Sequence, residues 1–434
     1  MLNRSKLMVL IAFMICVTPS FAEEKTAGYW LGQSFSYLLD GSYDLSLLCV
    51  DKSLDMDSSN PLAWLIKGSV LDVQGKYADA IACYDKALQI DPEYVEVWVN
   101  KGLAYRNQGK YDDAVDCFDN ALLIDPEYEV ALVYKGHALG LQGKYDDAID
   151  CYDKALQINP EDVEAWVKKG LQLALQGKYD DAVDCFDNAL QINSEDAEVW
   201  VYKGYVLSPQ GKYDDAIDCY DRALQIDPES SLAWYNKGNV LDEKGKYDDA
   251  ITCYNNALQI DPGDADTWSN KGIAFYNQGK YDDAVACYDK ALQINSEHAD
   301  ALNNKGLALI SQGKYDGAIA CYDKALQINP GYARVWNDKG SALILQGKYD
   351  DAIACYDKAL QLGPELADTW YGKGFVLVLQ GKYGDAIDCF DSALQINPEY
   401  ARAWYGKGLV FQAQGKDDDA ADCFDKAEQL GFSL

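Results

Sequence analysis

Eleven consecutive blocks of 34 residues run from Pro61 to Leu434 without one insertion or deletion. A block that short is a single supersecondary element and cannot bury an apolar face alone. Neighbouring blocks must stack and supply one another's core. The chain is thereby confined to architectures that grow in one dimension. Its function is to be sought first on a long surface and only then in a catalytic pocket.

The block from Pro61 to Tyr94 sets the pattern. It contains Trp64-x-x-Lys67-Gly68, then Gly75-Lys76-Tyr77, then Ala80-x-x-Cys83-Tyr84, then Ala87-Leu88 and Pro92. Apolar residues at helical spacing precede Gly75, which can take the left-handed conformation that ends a helix. A second helical run follows, opened in most blocks by Asp, as at Asp112 and Asp113, where Asp can cap the helix and complement its dipole. Pro92 closes the block. Gly68, Ala80 and Ala87, retained in all eleven blocks, mark the close approaches between helices. All ten tryptophans take the fourth place of a block, where only Leu132 and Leu302 depart, and they read as core residues. Pro209 lies late in a first helix and predicts that this helix ends a turn early.

These residues and offsets resemble the tetratricopeptide repeat, whose signature places Trp, Gly, Ala, an aromatic, Ala and Pro likewise. The resemblance implies an all-α, right-handed α-solenoid, a superhelix of stacked helix–turn–helix repeats. Residues 27–60 fit the frame as a degenerate first unit, with Ser34, Ser46 and Ser53 in place of Gly and two Ala. Residues 61–434 are eleven contiguous repeats, the last made more polar by Asp417, Ala421 and Glu428. Both ends read as caps. One departure is systematic: the residue before the first glycine is Lys in all eleven repeats, from Lys67 to Lys407, where the family usually has Leu. Spacing alone leaves its partner open, and the ladder reads as structural.

Residues 1–22 read as an export leader: Arg4 and Lys6, an apolar run from Leu7 to Val17, and a Ser20-Phe21-Ala22 cleavage site. An uncleaved anchor is the alternative. The expected location is extracellular, at the cell surface or in a periplasm-like space, and no integral membrane segment is expected in the mature chain. Loss of Arg4 and Lys6 takes the formal charge from −32 to −34. That balance excludes nucleic acid and anionic membranes as partners and favours a basic protein or peptide. Trios such as Asp112, Asp116 and Asp119, or Asp180, Asp184 and Asp187, share a helical face and read as a solvated acidic stripe. A weak calcium surface is the sharper alternative. Apart from Cys16, every cysteine recurs at one place of the repeat, from Cys49 to Cys423. Helices pack ~8–10 Å apart, beyond the reach of a disulfide, so free thiols and a reducing habitat are expected.

No catalytic constellation, metal site or cofactor motif is present, so no enzyme is expected. The first helices vary from repeat to repeat while the second helices hardly do. The resemblance implies that first helices line a concave face able to receive an extended peptide or partner helix. Asn236, Asn270 and Asn304 recur at one place of that face, with Asn239, Asn303, Asn337, Tyr235, Ser269 and Tyr276 beside them. Amides both donate and accept, so this row is the candidate peptide-binding site. The Lys–Asn clamp for terminal carboxylates found in some relatives is missing. Zones around Leu141 and Leu175, and around Leu345, Phe375 and Leu379, are more apolar. Three functions stay open: a non-catalytic extracytoplasmic scaffold for an extended partner segment, a self-associating structural envelope protein, and a cation-binding acidic surface.

Overall fold

The computed structural model describes residues 26–432, so the leader and Cys16 lie outside the described residues. Those residues form 24 α-helices and no strand. The fold is the expected all-α solenoid of helix pairs. In the repeat that opens at Pro61, the first helix is Pro61–Val73 and the second Tyr77–Ile90. Gly75 joins them at φ 76°. The Lys76 amide reaches back to the Leu71 carbonyl at 2.9 Å, closing the helix end as a left-handed residue there permits. Pro209 has the expected effect. Its helix stops at Leu207, and Ser208–Gln210 forms a 3₁₀ turn.

The second helices correct one expectation. Their opening Asp residues lie inside the first turn; the N-cap is Lys, for example Lys110, and makes no side-chain cap bond. Asp112 complements the helix dipole from there and also accepts from Gln142 Nε2 of the next repeat at 3.0 Å. Asp282 and Gln312 do the same at 2.9 Å. Side-chain caps belong to first helices instead, as where Asp162 accepts from the Glu164 amide at 2.9 Å.

By compactness the chain falls into two units, one ending at Ile226 and the other beginning at Asp227. In each, a helix packs on its own repeat partner and on the first helix of the next repeat. First helices of successive repeats also touch, while second helices stay further apart, so the first helices lie on the inner side of each unit. In the second unit, one cluster centred on Leu302, Leu309, Tyr322 and Val335 takes in Val285 and Leu292 from the preceding repeat and Trp336 from the following one. In the first unit, the cluster around Leu65, Tyr84 and Leu88 draws Val97 and Ala104 from the following repeat. The small residues act where expected. A Cβ on Gly68 would meet the Tyr84 ring at 2.4 Å.

The tryptophans are half-buried rather than fully interior. Their indole N–H groups pin the preceding turn, as Trp98 Nε1 does to the Pro92 carbonyl at 3.0 Å. Leu132 and Leu302 cannot make that bond and sink to 5% and 4% exposure. In the first pair of helices, Ser34 and Ser46 bond across the crossing at 2.8–3.0 Å, and Ser53 reaches the Ala27 carbonyl at 2.8 Å. The serines thus bridge the helices where other repeats let them touch.

The lysine ladder has a partner. Lys101 meets Asp85 of the preceding second helix at 2.6 Å, Lys135 meets Asp119 at 2.5 Å and Lys339 meets Asp323 at 2.6 Å. In the repeats that carry the tryptophan, the ladder lysine also leans over its ring, Lys101 lying 5.3 Å from the Trp98 ring. The acidic trios are therefore not uniformly solvated. Asp119 and Asp187 tie repeats together, while Asp116 and Asp184 remain exposed.

All twelve repeat cysteines are free and buried. Burial pushes the Cys83 thiol up to about 11 and the Cys117 thiol up to about 12, with Lys67 and Lys101 opposing weakly. A raised pKa leaves less thiolate near neutrality, and the thiolate is the reactive form. At about pH 8, iodoacetamide should modify the folded protein far more slowly than a free cysteine. After denaturation, mass spectrometry should find all twelve alkylated without prior reduction. Bridged pairs in that spectrum would contradict the packing described.

Candidate functional site

The inner face of the second unit carries a polar cavity of about 440 Å³. First helices Ser231–Glu243, Ala265–Asn277, Ala299–Ser311 and Ala333–Leu345 form this face. Six of the nine candidate residues line the cavity: Tyr235, Ser269, Asn270, Tyr276, Asn303 and Asn304. Asn236, Asn239 and Asn337 do not.

The amide row is not a uniform ladder. Asn270 Nδ2 donates to the Tyr235 hydroxyl and to Asn239 Oδ1, both at 3.0 Å, and the Tyr254 hydroxyl donates to that same Oδ1 at 2.9 Å. Asn239 and Asn270 therefore knit two repeats together. Asn337 is engaged too: its Oδ1 accepts from Thr369 Oγ1 at 3.1 Å, and its Nδ2 donates to Asp338 at 3.3 Å. Ser269 and Asn303 are almost enclosed, at 3% and 2% exposure. The physical reason is their place in the repeat. The fifth residue of a first helix points toward the neighbouring repeat, as the buried Leu65, Val99, Val133 and Val201 also do. Asn304, one residue on, is half-buried on the cavity wall.

The cavity also holds residues outside the amide row: Asp266, His298, Asp300, Tyr332 and Arg334. A signal for two of them was present. Asp266 precedes Asn270 by one helical turn, as Asp300 precedes Asn304, and such pairs share a face. His298 caps its helix, accepting from the Ala301 amide at Nδ1 (3.4 Å), and its Nε2 lies 3.1 Å from Asp266. The Tyr332 hydroxyl donates to Asp300. Behind the wall lies Asp338, whose carboxyl is raised by burial; hydrogen bonds from Asn303 and Asn337 and the charge of Arg334 oppose that rise.

The first unit has no amide row on its inner face. Arg106, 9% exposed, donates to His137 Nδ1 and to Asn107 Oδ1, each at 3.2 Å, and stacks over Tyr134. Burial first, then Lys168 and Arg106, lower the His137 pKa to about 4, so the imidazole is neutral at pH 7. Further along, Leu141, Leu175 and Tyr205 stand 48%, 65% and 60% exposed. In the second unit Leu345, Phe375 and Leu379 form a similar row at 51%, 37% and 46%. Among the described residues no group of three or more His, Cys, Asp or Glu is gathered as a metal ion requires. Nor is any helix among them long and apolar enough to cross a membrane.

Comparison with known families agrees with this architecture. Models described as Tetratricopeptide repeat match residues 95–128, 130–162, 163–196, 270–333 and 321–354. One described as TPR repeat matches 73–109, 204–243, 238–279, 340–381 and 374–415. Yeast Tom70 is similar at 16% identity and TM-score 0.47, over 94% of this chain and 92% of that one. A tetratricopeptide repeat protein from Parabacteroides merdae is similar at 17% identity and TM-score 0.47, over 61% and 98%. YrrB, described as a TPR protein with an unusual peptide-binding site, is similar at 24% identity and TM-score 0.37, over 44% and 98%. The comparison with curated proteins finds no match.

Proposed function

Because this chain belongs to the tetratricopeptide repeat family, whose members bind protein or peptide partners, we propose that it is a non-catalytic scaffold that holds an extended protein segment along its first helices. One observation carries this reading. The second unit opens a polar cavity on the inner face, where the repeats differ most, and lines it with amide, hydroxyl and carboxylate groups. An extended backbone offers both donors and acceptors, and such a wall answers both. The reading places the scaffold outside the cytoplasm, on the strength of the basic start, apolar run and small-residue site in residues 1–22. Its formal charge of −32 favours a basic partner.

A second reading, self-association, is favoured by the exposed row of Leu345, Phe375 and Leu379. Size exclusion with light scattering separates the two. The scaffold reading expects a monomer that retains a partner from native envelope extracts. Ordered polymers with nothing retained would replace it with the structural one.

A further inference from the structure

We propose that a groove between two second helices, Tyr281–Ile294 and Tyr315–Ile328, is a binding site for a small free molecule with an indole ring. The site is separate from the inner-face cavity, and the inference goes beyond the scaffold reading. Its core observation concerns the fourth place of the repeat. Nine ladder lysines lie 4.8–5.7 Å from the tryptophan ring of their own repeat. In the repeat that opens at Ala299 the fourth residue is Leu302, sunk to 4% exposure, and a cavity of about 320 Å³ opens beside it. The lining matches the surroundings of an indole. Trp336, one repeat on, packs against the clusters that hold Leu326 and Cys355, and lies 5.5 Å from Lys339, which pairs with Asp323. The counterparts of those four residues, Leu292, Cys321, Lys305 and Asp289, line the cavity. The niche that holds an indole in other repeats is therefore built here without the ring.

The chemistry of the groove favours an electron-rich ring. Lys305 is held at the cavity by Asp289 at 2.5 Å, and its repeat has no tryptophan to set before it. Lys324 joins it there. The matching lysines of the flanking repeats, Lys290 and Lys358, donate along their own helices to Gln293 and Gln361 at 3.3 and 2.9 Å, whereas Lys324 lines the cavity. Burial raises the Cys321 thiol, and Lys305 and Lys324 both oppose that rise; beside Cys287 and Cys355 the ladder lysine alone does so. Two ammonium groups over an apolar floor attract the face of an aromatic ring, and indole is the best such face. The indole N–H has an acceptor too. In other repeats it donates to the carbonyl six residues earlier, as Trp336 does to Pro330 at 3.0 Å, and Ser296 holds that place before Leu302. The cavity is at the lower end of small-molecule sites, and lysine, aspartate and glutamine side chains border it, so a free molecule suits it better than a polypeptide.

The test follows Cys321, 8% exposed on the cavity wall, by iodoacetamide alkylation of the folded full chain and peptide mass spectrometry, with indole as the probe. Indole should slow Cys321 alone among the cysteines of the second unit, by about tenfold at about ten times its Kd, because the filled groove shields the thiol. Leu302→Trp supplies the missing ring from within. It should slow Cys321 to the rate of Cys355 without indole, and indole should then change nothing. Leu302→Phe serves as the second variant if Leu302→Trp fails to fold, with the same loss of indole protection expected. 1-Methylindole, which lacks the N–H, should need about two- to tenfold more ligand for equal protection, the worth of one ordinary hydrogen bond. Equal potency of the two would overturn the assignment to indole. Indole that slows every cysteine alike, or slows Cys321 equally in Leu302→Trp, would refute the site. So would shielding of Cys321 by Leu302→Trp with no protection by indole. Protection by N-acetyltryptophanamide with none by indole would overturn the free molecule and assign the groove to a tryptophan of a polypeptide.

Discussion

Gly306→Val should lower stability by about 2–3 kcal/mol, through overpacking of a core with no room to yield. A Cβ at Gly306 would stand 2.4 Å from Tyr322 Cε1, and that ring is 0% exposed. The ring cannot retreat, because Leu302, Leu309, Leu326 and Val335 enclose it. Truncating the ring in the same chain, as Tyr322→Leu, should recover part of the loss, although Tyr322→Leu alone destabilises. The two substitutions are coupled because they act at one contact. Gly384→Ala gives the control of opposite sign. Gly384 lies in the helix Tyr383–Ile396, and a methyl added there would meet nothing within 4 Å, so the change should stabilise by about 0.5–1 kcal/mol through helix propensity. Thermal melts of the four variants decide the matter. A harmless Gly306→Val would mean that the helices do not cross as described.

An isolated repeat, Ser231 to Asp264, should not fold. Its helices are 13 and 14 residues long, a length at which a helix alone is marginal in water. The cores are shared: around Tyr322, apolar side chains come from three successive repeats. Cutting out one repeat exposes both stacking faces and removes most of its partners. Circular dichroism of the fragment should show little helix and no cooperative melt. A sharp transition would show that stacking is not what holds the repeat together.

Much of the fold is legible within a single repeat. Helix ends, turn glycines and the crossing at Gly68 and Tyr84 are set there, so local spacing reveals them. Pro209 acted as its missing N–H dictates. Contacts between repeats were harder to see, because their sequence separation hides them. An Asp stands 16 residues before the ladder lysine in ten of eleven repeats, from Asp51 and Lys67 to Asp391 and Lys407, with Asn255 before Lys271 as the exception. That regularity held the answer to the lysine's partner. The Asp–Gln bond across 30 residues is marked in the same way. The candidate site was legible as a location, since six of its nine residues meet at one cavity. Its chemistry was not. Only side-chain geometry separates Asn270, consumed by Tyr235 and Asn239, from Asn303, whose oxygen accepts nothing. Residues on the same helices one turn earlier, Asp266 and Asp300, complete the wall.

The central claim is that a partner lies along the first helices of the second unit. A photo-crosslinking residue, benzoylphenylalanine, placed at Leu345 or at Ala286 tests it most directly. Leu345 is 51% exposed at the end of a first helix, and Ala286 is exposed on a second helix of the same unit. After irradiation in native envelope extract, the account predicts a covalent adduct from the Leu345 position and none from Ala286. An adduct from Ala286 with none from Leu345 would contradict it and move the binding surface to the outer helices.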